Sequence, residues 1–335
     1  LYKRPQLRGM RQSNIELRAT QPNIMGALSL PLALLLSLYT AVESFADPLP
    51  PSRRVFSADL DLDGSDELLI AHNAQLSAWR WLNKDEGWTK LWKIDGPGVA
   101  QKVLRSPQYP SLLVAWGMGK GKMVAPITVS KVDPLTGQNK ALWEFKGGRS
   151  QIVSLQLLQA DEDPDLELLV AHFVSKYHTR RVILDKLEGA KPEEHLSSQI
   201  RMATSWLIAD IDGKPGLEEV IGRVYGEERG EYGDLSVHPF TLDAAKLSIT
   251  EVIPTARGVK GIYAWPSLSA KESGSQLFFS DGWVAAYGKR AKAGLKRLFW
   301  RDGRINVESL ASSPKEFTFF DMWRRVDPVT SLPLL

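Results

Sequence analysis

A short string that returns along the chain constrains the fold more than any other feature of the sequence. "DELLIAHN" at residues 66–73 and "LELLVAHF" at 166–173 are near copies one hundred residues apart. Between them "SLLVAWGM" (111–118) keeps the apolar core without the acid, and "LEEVIGRV" (217–224) and "SQLFFSDG" (275–282) continue the series. With Glu67, Ser111, Glu167, Glu219 and Gln276 as equivalents, the steps are 44, 56, 52 and 57 residues. A second marker recurs out of phase with the first: "KLWKIDGPG" (90–98), "ALWEFKGGR" (141–149) and "RLFWRDGRI" (297–305) each pair an aromatic strand with a glycine turn. Two markers sharing one period identify a chain built from units of about fifty residues.

Each unit reads as short strands divided by turns. "QIVSLQLLQA" precedes an acidic turn, and a core strand such as "LELLVAHF" follows it. Gly, Pro, Asp and Asn punctuate every unit, and no amphipathic helix is legible beyond the leader. Units of this length with four strands predict an all-β fold, a β-propeller of four-stranded blades. Units at 55–96, 97–148, 149–199, 200–258 and 259–304 give five blades, and residues 305–335 give part of a sixth, with "EFTFFDMW" (316–323) as one of its strands. Either five blades close with the tail completing a sheet, or a longer propeller is cut or frameshifted, and the count favours a truncated C-terminal end. Trp92, Trp143 and Trp300 recur at blade ends and are expected in the core.

The first acidic turn, "DLDLDGSDE", places Asp59, Asp61 and Asp63 at alternate positions, then Gly64, Ser65 and finally Glu67. Carboxylates gathered in one bend raise one another's pKa values unless a cation joins them. Calcium accepts six to eight oxygens in irregular geometry and suits such a loop, with the Ser65 carbonyl as a backbone ligand. The third unit offers Asp161, Asp163, Asp165 and Glu167, with Gln159 at the first position and Pro164 in place of glycine. The fourth offers Asp210, Asp212 and Glu218, with Lys214 inside the loop. The ranking expected is 59–67 first, 159–167 second and 210–219 third, with Glu218 and Glu219 both available in the last. An EF-hand needs its glutamate at the twelfth position and helices on both sides, so it does not fit.

These loops and the repeat resemble the FG-GAP or VCBS repeats of integrin-α-type β-propellers, over residues 55 to about 304. The resemblance implies calcium held in D-x-D-x-D-G-x-x-[DE] loops between consecutive blade strands. At the level of the fold, it points to binding other molecules through loops on one propeller face. The expectation drawn from it is a non-catalytic, calcium-stabilised module for a protein or carbohydrate ligand. The alternatives are an envelope enzyme on a propeller, polysaccharide-degrading or quinoprotein-like, and a structural envelope scaffold.

Charge and composition narrow the partners. The net charge is +3, from 42 Lys and Arg against 39 Asp and Glu. The leader, residues 1–46, holds five basic and two acidic residues, which leaves 37 of each sign in 47–335. A neutral body supplies no field for nucleic acid. The leader itself carries an uncharged run, "IMGALSLPLALLLSLYTAV" (24–42), followed by Ser44 and Ala46 as small residues at a cleavage site. That pattern predicts a secretory signal peptide and a secreted, periplasmic or envelope protein, with the membrane touched only through a retained leader. The expected domains are therefore the leader at 1–46 and the propeller at 47–335, with its last blade incomplete. There is no cysteine, which removes disulfides, thiolate metal sites and cysteine nucleophiles.

No hydrolase, metalloprotease or phosphate-loop pattern appears. "GMGKGKM" (117–123) reads as a hairpin tip, and the basic stretch 288–304 as a solvated hairpin beside a buried aromatic strand. His72 and His172 occupy equivalent repeat positions and read as structural.

Overall fold

The computed structural model describes residues 54–117, 126–147, 151–161, 163–175, 177–189, 191–223, 234–243, 251–254, 259–266, 273–281, 293–313, 325–326 and 333–334. The expected leader and the strand at 316–323 lie outside them, as do parts of 117–123 and 288–304. Among the described residues there is no helix.

The described residues form five antiparallel sheets in sequence order, each built on a meander of four strands. The first holds β1 (Arg54–Ala58), β2 (Glu67–His72), β3 (Gln75–Asn83) and β4 (Gly87–Asp95). The second holds β5 (Val99–Ser106), β6 (Tyr109–Gly117), β7 (Ile127–Val132) and β8 (Asn139–Phe145). The third holds β9 (Ile152–Leu158), β10 (Glu167–Phe173), β11 (His178–Asp185) and β12 (Glu193–Leu196), with the short β13 (Ile200–Arg201) also on β11. The fourth holds β14 (Ala203–Ala209), β15 (Glu218–Arg223), β16 (Asp234–Pro239) and β17 (Glu251–Pro254). The fifth holds β18 (Val259–Pro266), β19 (Ser273–Asp281), β20 (Ala293–Arg301) and β21 (Arg304–Ser313). Two further short strands, β22 (Arg325–Val326) and β23 (Pro333–Leu334), pair with each other, and among the described residues no sheet joins the first four strands to the last.

Sequence explains why the second strand of a unit is its apolar maximum. "ELLVAHF" is buried along its whole length, because its alternate residues face two different neighbours. Leu168 and Val170 join a core shared with the second sheet, where Leu113, Val129 and Trp143 meet them. Leu169 and Ala171 join the next core, against Trp206 and Ile221 of the fourth sheet. Two further cores repeat the arrangement: Leu69 and Leu76 against Leu112 and Trp116, and Val220 and Val237 against Leu277 and Phe279. Four cores therefore lie between five sheets. Truncating one of these leucines to alanine costs about 2–5 kcal/mol.

Outer strands are less covered. In β8 only Trp143 is buried, and its neighbours alternate to solvent. Trp92 and Trp143 stand on fourth strands and are buried, as expected. Trp300 stands on β20, a third strand, and is half-buried. The fifth unit therefore runs one strand past its expected end at 304, because β21 continues to Ser313. His172 is buried beside Phe145 and Trp143, with ring centroids at 4.5 and 6.0 Å. Desolvation there lowers its pKa to about 4, which fits a packing role.

Candidate metal centre

The three acidic turns all join the first strand of a sheet to its second. Register shows them to be equivalent: Ala58 pairs with Glu67, Leu158 with Glu167, and Ala209 with Glu218. In each, the glutamate reaches back to the backbone N–H seven residues earlier. Leu60 N donates to Glu67 Oε2 at 2.8 Å, Ala160 N to Glu167 Oε2, and Ile211 N to Glu218 Oε2 at 2.7 Å. The fourth-unit equivalent of Glu67 is thus Glu218, not Glu219 as the repeat alignment expected. One residue of register sends a strand side chain to the opposite face. Glu219 accordingly lies in the core, where Arg181 Nε at 2.6 Å and Trp206 Nε1 at 2.6 Å meet its carboxylate.

Each turn brings three carboxylates together. One oxygen from each of Asp59, Asp61 and Glu67 lies within 4.8 Å of the others, and the same holds for Asp161, Asp163 and Glu167 and for Asp210, Asp212 and Glu218. Asp63 and Asp165 stand outside these groups. Asp63 instead accepts from Ser65 N at 2.7 Å, and Asp165 lines a neighbouring cleft. The Ser65 backbone sits within that Asp63 turn.

The turns differ in what neutralises them. In the first, Arg80 on β3 donates through Nε to Glu67 Oε1 at 2.8 Å and through Nη2 to Asp61 Oδ2 at 2.5 Å. Asp59 accepts from Asp63 N at 3.1 Å and Gly64 N at 2.8 Å. Each of the three clustered carboxylates thus accepts from the protein's own cation or amides. The bond to Glu67, the largest cause, raises the Arg80 pKa. In the fourth sheet's turn Lys214 Nζ lies 2.9 Å from Asp212 Oδ2, and Gly213 N donates to Asp210 Oδ1 at 2.6 Å. Burial works against it, but Lys214 holds the Asp212 carboxyl below its ordinary value. This turn is also clamped to the fifth sheet: Ser275 N donates to the Asp210 carbonyl at 2.6 Å. Gly274 adopts φ +67°, and a Cβ there would meet Ile211 backbone at 2.4 Å, so only glycine fits that approach.

Among the described residues, the third sheet's turn has no such cation on its glutamate. Leu68 faces Trp79 across β2 and β3, which sets Arg80 beside Glu67. Leu168 faces Leu184 across β10 and β11, and the corresponding position is Asp185. A guanidinium in one sheet is a carboxylate in the other. Glu167 is fully buried, and its Oε1 has no hydrogen-bond partner. Burial first, then the charges of Asp161 and Asp185, push its pKa up against the opposing Ala160 N–H. Gln159 spends its side-chain amide on the carbonyls of Asp161 and Asp163, so the turn is shaped without neutralising it. The carboxylates of Asp161, Asp163 and Glu167 form an oxygen-only donor set suited to a hard divalent cation.

A cleft of about 190 Å³ adjoins this turn, lined by Tyr109 and Pro110 of the second sheet and by Pro164, Asp165, Leu166 and Glu188 of the third. Lys131 Nζ holds Glu188 at 2.9 Å and lies 5.5 Å from the Tyr109 ring centre.

Neither a family model nor a curated protein matches the sequence. Among solved structures, the chain is similar to a hypothetical selenium-binding protein from Sulfolobus tokodaii, at 12% identity and TM-score 0.44 over 78% of this chain and 60% of that one. It is similar to Sqt1 from Saccharomyces cerevisiae, at 9% identity and TM-score 0.36 over 73% and 81%. A Bacteroides uniformis protein described as a 6-phosphogluconolactonase shares 11% identity and TM-score 0.36 over 83% and 86%. The chain thus spans 60% of the length of the Sulfolobus protein. At these scores the fold rests on the sheets themselves: all-β, repeat-built, five four-stranded meanders.

Proposed function

We propose that the chain is an exported, calcium-stabilised β-propeller of the FG-GAP or VCBS kind, acting as a non-catalytic binding module for a protein or carbohydrate. The observation that carries the metal is Glu167, whose buried oxygen has no partner in a turn already holding Asp161 and Asp163. An unpaired buried carboxylate costs several kcal/mol unless protonated or joined to a cation. Calcium there would take oxygens from Asp161, Asp163 and Glu167, and its charge would relieve the repulsion from Asp185. The same turn supplies Pro164, Asp165 and Leu166 to one wall of the adjoining cleft. Metal binding would therefore fix one side of a small, partly apolar recess, the kind of surface a loop-based binder presents. The row of sheets sharing successive cores is what supports the propeller.

The test is a thermal melt of the full chain in calcium and in chelator, for the parent and for Glu167→Gln. Calcium is expected to raise the parent's midpoint and leave the variant's unchanged. An equal rise in both would assign the ion elsewhere, and no rise in either would remove the metal. A glycan and peptide array probed in calcium and in chelator reads the binding role. Signal in calcium alone supports it, and signal for no ligand in either condition removes it.

A further inference from the structure

The third sheet carries a second donor cluster of different chemistry at its outer edge. We propose that Asp185, Glu193 and His195 form a site for zinc or a like transition-metal ion, with Asp243 as the group that orients the histidine. β11 and β12 pair Asp185 with Glu193 and Ile183 with His195. Glu193 and His195, two residues apart on one strand, share a face, and the cross-strand partner Asp185 joins them there. One carboxylate oxygen from each acid and one ring nitrogen of His195 lie within 4.8 Å of one another.

The imidazole is oriented from outside the cluster. Its Nδ1 stands 2.8 Å from Asp243 Oδ1, contributed by the segment after β16. In the neutral ring, an Nδ1–H donating to this carboxylate leaves the lone pair on Nε2. His195 Nε2 is shielded from solvent and has no hydrogen-bond partner. A carboxylate holding one ring nitrogen while the other has no partner is the arrangement that prepares a histidine for a metal. Imidazole favours zinc, cobalt and their neighbours over calcium. This separates the cluster from the oxygen-only turn beside it.

Lys186 is the internal rival. Its Nζ is 2.7 Å from Glu193 Oε2 and 3.8 Å from Asp185 Oδ2. The lysine side chain is 59% exposed, so it is a weakly held counter-ion that a divalent ion displaces at small cost.

The site does not depend on calcium binding at Glu167, and the experiment keeps the two apart. The metal-free full chain is titrated with Co2+ as a spectroscopic probe, followed by Zn2+. One equivalent of Co2+ is expected to develop a visible d–d band that Zn2+ abolishes. His195→Gln should lose the band, and Asp243→Asn should weaken binding by about 10–100-fold. Lys186→Ala should tighten it, and Glu167→Gln should leave it unchanged. Far-UV circular dichroism of each variant confirms the fold. Absence of a band in the parent overturns the site, as does a band that survives His195→Gln or disappears in Glu167→Gln.

Discussion

The first and third sheets contain the same turn with opposite solutions to one electrostatic problem. Both place a buried glutamate against two aspartates, and both tie that glutamate to the N–H seven residues back. In the first sheet the cross-strand neighbour is Arg80 and the turn closes on the protein's own charge. In the third it is Asp185, and a buried oxygen is left over. The turn closest to a complete metal-binding string is therefore the self-sufficient one. The turn that departs from the string, with Gln159 first and Pro164 in place of glycine, has the stronger need for a cation.

The largest expected effect breaks the comparison at the third sheet. At calcium one hundred times its dissociation constant, binding stabilises the parent by about 2.7 kcal/mol, and Glu167→Gln loses that increment in calorimetry. Next, Arg80→Ala should cost about 1–3 kcal/mol in chelator, because Glu67 and Asp61 lose their partner. Calcium should then restore part of the loss, which makes the first turn behave like the third. Asp185→Arg runs the exchange the other way. It should raise stability in chelator by about 1 kcal/mol and shrink the calcium response, as read by urea unfolding in both conditions.

The smallest effect is in pH. Because the folded-state pKa of Glu167 is raised, its contribution is lost as pH rises from the ordinary glutamate value of 4.5 through the raised one. His172 in the same sheet acts with opposite sign. Its folded value of about 4 means stability is lost as pH falls below its ordinary 6.5. The glutamate therefore appears as a difference: in chelator, Glu167→Gln should lose more stability than the parent between pH 7 and pH 5. Calcium should remove that difference.

Much of this was legible in the sequence, because both markers of the repeat are made by local pattern. The apolar run after each acidic turn is legible as a strand, and the unit boundaries expected at 96, 148, 199 and 258 fall between the four-stranded meanders. What the sequence hides is the pairing across a hairpin. Arg80 lies 13 residues after Glu67 and Asp185 lies 18 after Glu167. The intervening turns differ in length, so no fixed spacing reveals that the two positions correspond. The alignment of Glu219 with Glu67 failed for a related reason, since two consecutive glutamates offer two registers and only strand pairing selects one. His195 and Asp243 meet across 48 residues and two sheets, beyond the reach of any local string.

The succession of cores has a consequence for how the molecule opens. Each inner sheet gives one face to the sheet before it and the other to the sheet after it. Such a stack is nearly one-dimensional, and its cohesion is a sum of nearest-neighbour terms. In a row, the first and fifth sheets are held by one interface and the middle three by two. In a closed ring every sheet is held by two. Amide hydrogen exchange separates these cases: a row frays from its ends, with protection rising toward Leu169 and Val170, whereas a ring protects Leu69 and Leu277 as long as it protects the centre.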